Sequence, residues 1–143
     1  MVAKQLSVFV ENRQGRLCEV LNVMKESGVN ILSLSSADTT EYGLLRLIVD
    51  NAEAGSEKLT EAGFSTMLTD VLIIQIAHEV GSLQNLLKGL SDSDINIEYM
   101  YGLSIDGEKA YVVLKTHNLE KAIEVIKEKG IDTLSTDAVK NLK

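Results

Sequence analysis

Two short stretches of the chain combine residue types and spacing that could bind a small charged ligand. The first runs from Asn12 to Leu17, a polar turn with glycine at position 15 between an apolar run and the start of a helical pattern. A turn that leads directly from a strand into a helix leaves backbone N–H groups of the first helical turn without partners. Because these donors lie at the positive end of the helix dipole, they favour a carboxylate.

Two residues of this turn could contribute to ligand binding. Gly15 lets the main chain approach a ligand closely, because it has no β-carbon. The amide oxygen of Asn12 can either cap the helix or accept a hydrogen bond from a ligand's ammonium group. A polar residue followed by glycine at such a turn is ordinarily a cap alone, so the turn by itself leaves both roles open.

The same pattern returns sixty-six positions later, where Gly81 corresponds to Gly15 and Leu83 to Leu17. Asn30 and Asn96 have the same separation, and each opens a strand directly after a helix. Asparagine is poorly suited to strands and can serve only to satisfy the backbone of a turn. Its recurrence in two diverged copies favours a shared role, and the period indicates two modules of about 70 residues each.

Composition excludes several classes of partner. The 143 residues include 14 Lys and Arg against 21 Asp and Glu, a net charge of −7. Without a basic stripe or tail, we expect neither nucleic acid nor an anionic membrane surface as a partner. No apolar run reaches the ~18 residues of a membrane span, and the first residues do not resemble a signal peptide. These features predict a soluble cytoplasmic protein.

An enzyme or a metal protein would need reactive side chains at workable spacing. The only histidines are His78 and His117, and the single cysteine, Cys18, lies in a helical pattern that predicts a buried structural thiol. Only His78-Glu79 hints at a metal ligand, and the carboxylates are scattered on predicted helix faces. We therefore expect no catalytic activity, no metal and no cofactor.

Hydrophobic periodicity predicts the elements of the first copy. Alternation indicates strands, and the stripe of Leu17, Val20, Leu21 and Met24 indicates a helix that ends at Gly28. Asp50 or Asn51 caps the second helix. The predicted elements are strands at 4–10, 29–35, 42–49 and 64–68, and helices at 17–27 and 53–62.

The second copy repeats these elements. Leu83, Leu86, Leu87 and Leu90 form the first helical stripe, and Asn118 caps the helix that carries Leu119, Ala122, Ile123 and Ile126 and ends at Gly130. Asp106-Gly107 predicts a hairpin turn. The predicted strands are 71–77, 98–105, 110–115 and 131–134, and residues 135–143 form a polar tail, with at most a short helical turn.

Each half therefore has the order β-α-β-β-α-β. With right-handed crossovers this order gives a four-stranded antiparallel sheet with both helices on one face, the ferredoxin-like arrangement. We predict an α+β protein with domains at 1–69 and 70–143. Modules this small bury little surface, so we expect their sheets to lie side by side, and we expect a homodimer.

The combination of strand, Asn-x-x-Gly, amphipathic helix, Gly-Val-Asn-Ile and β-α-β-β-α-β order resembles the ACT domain, a small regulatory module of amino-acid metabolism. Two copies that cover the whole chain are similar to stand-alone tandem ACT proteins. The resemblance implies an amino acid bound at an interface between ACT modules, and a regulatory role. Family ligands contact the first turn and the start of the second strand.

Carried over to this sequence, the resemblance implies ligand-binding residues in both copies. The family often has proline before the glycine, whereas Gln14 and Val80 stand there, and His78 replaces the amide of Asn12. We therefore favour the first turn as the site. The implied residues are Asn12, Arg13, Gln14, Gly15, Arg16, Leu17, Asn30 and Ile31, and, in the second copy, His78, Glu79, Val80, Gly81, Ser82, Leu83, Asn96 and Ile97.

The sequence supports two functional hypotheses. In the first, the protein senses a free amino acid, with a small apolar or aromatic one favoured, and reports to a partner enzyme of amino-acid metabolism. In the second, it is an interaction subunit of a metabolic enzyme with no small ligand. Tyr99, Met100 and Tyr101 could form the interface, and their alternation places at least one side of that strand in the core.

Overall fold

The computed structural model describes residues 2–38 and 42–141. The chain divides into two compact units, one of Lys4–Thr69 and one of Asp70–Lys143 together with Met1–Ala3. The elements of the first unit are β1 (Ala3–Glu11), α1 (Arg16–Glu26), β2 (Ile31–Asp38), β3 (Tyr42–Val49), α2 (Ala52–Glu61) and the start of β4 (Ser65–Ala77). The remainder of β4 opens the second unit, followed by α3 (Ser82–Asp92), β5 (Ile97–Asp106), β6 (Lys109–Thr116), α4 (Leu119–Glu128), β7 (Thr133–Leu134) and α5 (Thr136–Lys140).

Both units have the same strand order. In the first unit the order is β2-β3-β1-β4, and in the second it is β5-β6-β4-β7. The pairs β1 with β3, β2 with β3, β4 with β6, β4 with β7 and β5 with β6 are all antiparallel. The prediction of an α+β protein built from two ferredoxin-like modules is confirmed.

The core of the first unit lies between its sheet and its two helices. Alternation along β1 places Leu6, Val8 and Val10 on the buried face, as predicted, opposite Val20 and Met24 of α1. Helix α2 lies close to the sheet at Gly55. A β-carbon added to this glycine would lie 3.0 Å from a methyl group of Leu6. The cluster is completed by Val29, Leu45, Leu47, Val49, Ala52, Leu59 and Phe64.

The second unit has an equivalent core. Leu72 and Ile74 of β4 pack with Leu86 and Leu90 of α3 and with Ile126 of α4. Ile95, Val112, Leu114 and Ala122 complete the buried cluster, and Met100 packs against it. Tyr99 and Tyr101, which neighbour Met100 on β5, are half-buried.

The predicted caps of the two second helices are confirmed. The side-chain oxygen of Asn51 accepts a hydrogen bond from the Ala54 N–H at 3.1 Å, and that of Asn118 accepts one from the Lys121 N–H at 3.1 Å. Each asparagine satisfies one of the N–H groups that a helix start leaves without a partner. This capping fixes the start of α2 and α4 at equivalent positions in the two units.

The predicted burial of Cys18 is wrong, because its side chain is exposed. Val20 and Met24 are the buried residues of α1, and Leu17 is 49% exposed. At about 100° per residue, Cys18 lies some 200° around the helix axis from Val20, away from the sheet. The thiol is therefore exposed because the helix face that carries Val20 and Met24 packs on the sheet.

Several boundaries differ from the prediction. The strands predicted at 64–68 and 71–77 form the single strand β4, because neither glycine nor proline separates them and Asp70 alone does not turn the chain. The hairpin turn consists of Gly107 and Glu108, with Asp106 still paired to Lys109. Strand β7 begins only at Thr133, since the Ile131 N–H bonds to the Ile126 carbonyl at the end of α4.

The polar tail contains a five-residue helix, α5, whose Val139 is only 2% exposed. The hydroxyl oxygen of Ser135 accepts a hydrogen bond from the Ala138 N–H at 3.1 Å and caps this helix. Among the described residues, no helix is both long and apolar enough to cross a membrane.

Candidate functional site

The two strand-to-helix turns have nearly identical glycine conformations. Helix α1 begins after Gly15, with φ 88° and ψ −14°, and α3 begins after Gly81, with φ 90° and ψ −11°. These angles lie in the left-handed region, where a side chain is strained. A β-carbon at either glycine would meet no atom within 4 Å, so the backbone conformation alone requires glycine and the space beside each turn is open.

Neither of these helix starts is capped by a side chain of the described residues. In α1 the Arg16 N–H bonds to the Arg13 carbonyl at 3.3 Å, and the Glu19 N–H bonds to the Gly15 carbonyl at 3.0 Å. The N–H groups between them, on Leu17 and Cys18, are the donors that a helix start ordinarily leaves for a cap or a ligand. The contrast with the capped helices α2 and α4 makes α1 and α3 the candidates for ligand binding.

The structure places the predicted residues of the first copy at the surface. Asn12 is exposed and does not cap α1, so the capping role weighed for it is not realised. Gln14 is also exposed, and Arg13 pairs with Glu11 at 3.1 Å between Nε and the carboxylate.

Asn30 contacts Asp50 through its backbone. Its N–H donates to the Asp50 carboxylate at 3.0 Å, and its carbonyl accepts from the Asp50 N–H at 3.1 Å. Its exposed side chain precedes β2, which begins at Ile31. Asn96 is likewise exposed and precedes β5, which begins at Ile97, so neither asparagine lies in a strand as predicted.

The second turn opens onto a groove of about 1200 Å³ within the second unit. His78 and Ser82, both predicted as site residues, line it, and the His78 N–H bonds to the Glu108 carbonyl at 2.6 Å. Glu79 also lines the groove, whereas the Val80 side chain is fully exposed. The groove is lined by Gln75, Ile76, Ala77, His78, Glu79, Ser82, Asn85, Leu86, Lys88, Gly89, Asp92, Glu108, Lys109, Lys129, Gly130, Ile131 and Asp132.

Most of these lining residues were not predicted as site residues. Lys129 and Asp132 follow α4, Glu108 and Lys109 belong to the β5–β6 hairpin, and Asn85 lies one turn into α3. The two helices of a ferredoxin-like module run antiparallel, so the end of α4 comes beside the start of α3. No local motif predicts these lining residues, and only the predicted fold could have indicated them.

In the first unit, Arg16 lies against the ring of Phe64. Its guanidinium carbon is 4.2 Å from the ring centroid, and its Nη1 bonds to the carboxylate of Glu19. The Arg16 side chain is 16% exposed, and its buried Nε has no hydrogen-bond partner among the described residues. Arg16 therefore packs on the unit from its first helical turn.

One ion pair at the groove involves two residues of α3. The Lys88 ammonium donates to the Asp92 carboxylate at 2.9 Å, one helical turn away. This hydrogen bond, together with the charge attraction, raises the pKa of Lys88. No group of three or more His, Cys, Asp or Glu side chains among the described residues is placed to hold a metal ion.

The family comparison matches residues 1–143 to the ACT domain pair. The chain belongs to the ACT domain pair family. The crystal structure of protein BT0572 from Bacteroides thetaiotaomicron is similar over 99% of this chain and 98% of that chain, with 38% sequence identity and a TM-score of 0.94. The comparison with curated proteins gave no match.

Two further ACT-like relatives share the fold at low identity. The ligand-free regulatory subunit of aspartate kinase from Thermus thermophilus has 15% identity and a TM-score of 0.64, covering 87% of this chain and 91% of that chain. The regulatory subunit of aspartate kinase from Thermus flavus has 15% identity and a TM-score of 0.58, covering 87% and 90%. These likenesses support the ACT fold of both units.

Proposed function

We propose that this ACT domain pair is a non-catalytic regulatory protein that binds a free α-amino acid at the strand-to-helix turns, between ACT modules. The observation that carries the proposal is the pair of uncapped helix starts behind Gly15 and Gly81. Donors of this kind suit the ligand's α-carboxylate. Carbonyl and carboxylate oxygens near each turn can accept hydrogen bonds from its ammonium group.

The proposal includes a homodimer in the cytoplasm and a partner enzyme of amino-acid metabolism. It also keeps the domain limits at 1–69 and 70–143. Two structural relatives are regulatory subunits of aspartate kinase, which supports a role for this chain beside an enzyme. The sequence favours a small apolar or aromatic amino acid, and experiment ranks that class against the others.

A thermal-shift screen of the twenty amino acids tests the proposal. A ligand that binds only the folded protein raises its melting temperature, and at about 100 times its Kd it adds about 2.7 kcal/mol of stability. We expect at least one amino acid to raise the melting temperature at millimolar concentration. A protein that responds to none of them would contradict amino-acid binding.

The second candidate function is an interaction subunit without a small ligand. It is favoured by apolar side chains on the outermost strands of the two units, since Leu34 of β2 is 52% exposed and Ile105 of β5 is 64% exposed. Exposed apolar residues on edge strands suit contact with another protein. A failed amino-acid screen, together with co-purification of an enzyme that Leu34→Lys or Ile105→Lys disrupts, would support this alternative.

A further inference from the structure

The groove of the second unit lies at positions where the first unit carries a stacked arginine. Ser82 and Ile131 line the groove, and the repeat aligns them with Arg16 and Phe64 of the first unit. In the first unit Arg16 lies over the Phe64 ring at 4.2 Å and is largely buried. The short hydroxyl side chain of Ser82 cannot fill the space that an arginine would occupy. The groove beside Ser82 is therefore open.

The groove carries charged side chains that form no ion pair with any described residue. They are two lysines, Lys109 and Lys129, and three carboxylates, Glu79, Glu108 and Asp132. The Lys88–Asp92 pair at the same groove is already matched internally. A ligand that matches the remaining groups has one negative and two positive charges.

We propose that this groove binds an α-amino acid with a cationic side chain, an inference that rests on the proposed amino-acid binding. Lys109 and Lys129 face the ligand's α-carboxylate. Glu108, Glu79 and Asp132 accept hydrogen bonds from its α-ammonium group and from its side-chain cation. This ligand class departs from the apolar amino acid that the sequence favours, because the groove is lined mainly by charged and polar groups.

Ser82 is the residue that keeps the groove open. The variant Ser82→Arg introduces the side chain that the first unit carries at the equivalent position, so the fold accommodates arginine there. We expect this variant to weaken binding of L-lysine or L-arginine at least tenfold. The matched control is Ser91→Arg, which places the same side chain on α3, at an exposed position outside the groove lining, and keeps wild-type affinity.

Calorimetric titration of the full chain with L-lysine, L-arginine and L-leucine tests the inference, and circular dichroism verifies that each variant is folded. We expect the two cationic amino acids to bind, L-leucine to bind at least tenfold more weakly, and Asp132→Asn to weaken cationic ligands more than L-leucine. A wild-type protein that prefers L-leucine would overturn the ligand class.

A Ser82→Arg variant with unchanged affinity would overturn the location of the site in this groove. If Gly15→Val then abolished binding, the site would lie at the first turn instead. Wild-type protein that binds none of the twenty amino acids would contradict the proposed function itself. Failure of the inference and failure of the proposed function are therefore distinguishable.

Discussion

The guanidinium of Arg16 stacks on Phe64, with the guanidinium carbon 4.2 Å from the ring centroid. A cation over an aromatic face contributes about 0.5–2 kcal/mol, and the aliphatic stem of the arginine covers apolar surface as well. The unpartnered Nε offsets part of this gain, because burying a donor without a partner is costly. We expect Arg16→Ala to lower the free energy of unfolding by about 1 kcal/mol.

Urea titration measures this loss, and Arg13→Ala is the matched control. The Arg13 side chain is 61% exposed, and in the described part of the chain it pairs only with Glu11, which is 65% exposed. Its removal therefore changes stability by less than about 0.5 kcal/mol. Equal effects of the two substitutions would show that the stacked geometry adds nothing.

The glycines before α1 and α3 predict a backbone cost. Gly15→Ala and Gly81→Ala place a β-carbon at φ 88° and 90°, which costs roughly 1–2 kcal/mol although nothing crowds the added atom. Gly102→Ala is the control, because that glycine has neither a positive φ nor a close neighbour. Thermal unfolding that ranks the Gly102 variant below the other two would contradict the assignment of strain to the turns.

The order of elements could be predicted because apolar periodicity and caps are local properties. Leu6, Val8 and Val10 alternate along one strand, and Asn51 caps its helix directly, so a short window of sequence holds each signal. Whether β4 breaks near Thr69 depends on whether Asp70 turns the chain, and aspartate without glycine or proline beside it is a weaker signal. Cys18 was misplaced because its position inside a helical pattern does not decide which side of the helix it is on, and it lies some 200° from the buried Val20.

The groove could not be predicted from local sequence. Asp132 and Lys109 stand far along the chain from Ser82. Lys109 reaches the groove because it pairs with Ala77 of β4, and Asp132 because its carbonyl accepts a hydrogen bond from the Gln75 N–H. The two turns differ because Arg16 stacks on Phe64 in the first unit. The type of either residue alone does not predict this contact. Long-range packing of this kind appears only once the fold is known.

The helix caps predict a stability difference between asparagines. Asn51→Ala and Asn118→Ala each remove a side-chain acceptor from a helix start, so each lowers the free energy of unfolding by about 1 kcal/mol. Asn12→Ala removes no cap and leaves stability within about 0.5 kcal/mol of the wild type. Chemical denaturation of the three variants provides the measurement. A loss for Asn12→Ala as large as the other two would mean that this side chain does cap α1 in solution.

The Lys88–Asp92 pair predicts a small pH dependence. Asp92 raises the pKa of Lys88 in the folded protein, so the pair's contribution is fully present below the lysine's unfolded pKa and is lost as pH rises through the raised value. We expect Asp92→Asn to lower the Lys88 pKa, as followed by NMR titration of the lysine side chains. Lys58, whose contact with Glu61 is longer at 3.4 Å, is the internal reference. A Lys88 pKa unchanged in the variant would show that the pair does not persist in solution.

Two glycines inside helices predict opposite effects of the same substitution. In a helix interior, alanine in place of glycine raises the free energy of unfolding by about 1 kcal/mol when the added β-carbon has room. At Gly89 the three atoms nearest the new β-carbon belong to the flexible end of Lys129, which can move into solvent, so Gly89→Ala keeps that gain. At Gly55 it comes within 3.0 Å of Leu6 and 3.5 Å of Met24, both fully buried, so overpacking costs about 1–3 kcal/mol and Gly55→Ala is destabilising. Denaturation midpoints of the two variants on either side of the wild-type value would confirm the prediction, whereas a stabilised Gly55 variant would show that Leu6 can repack.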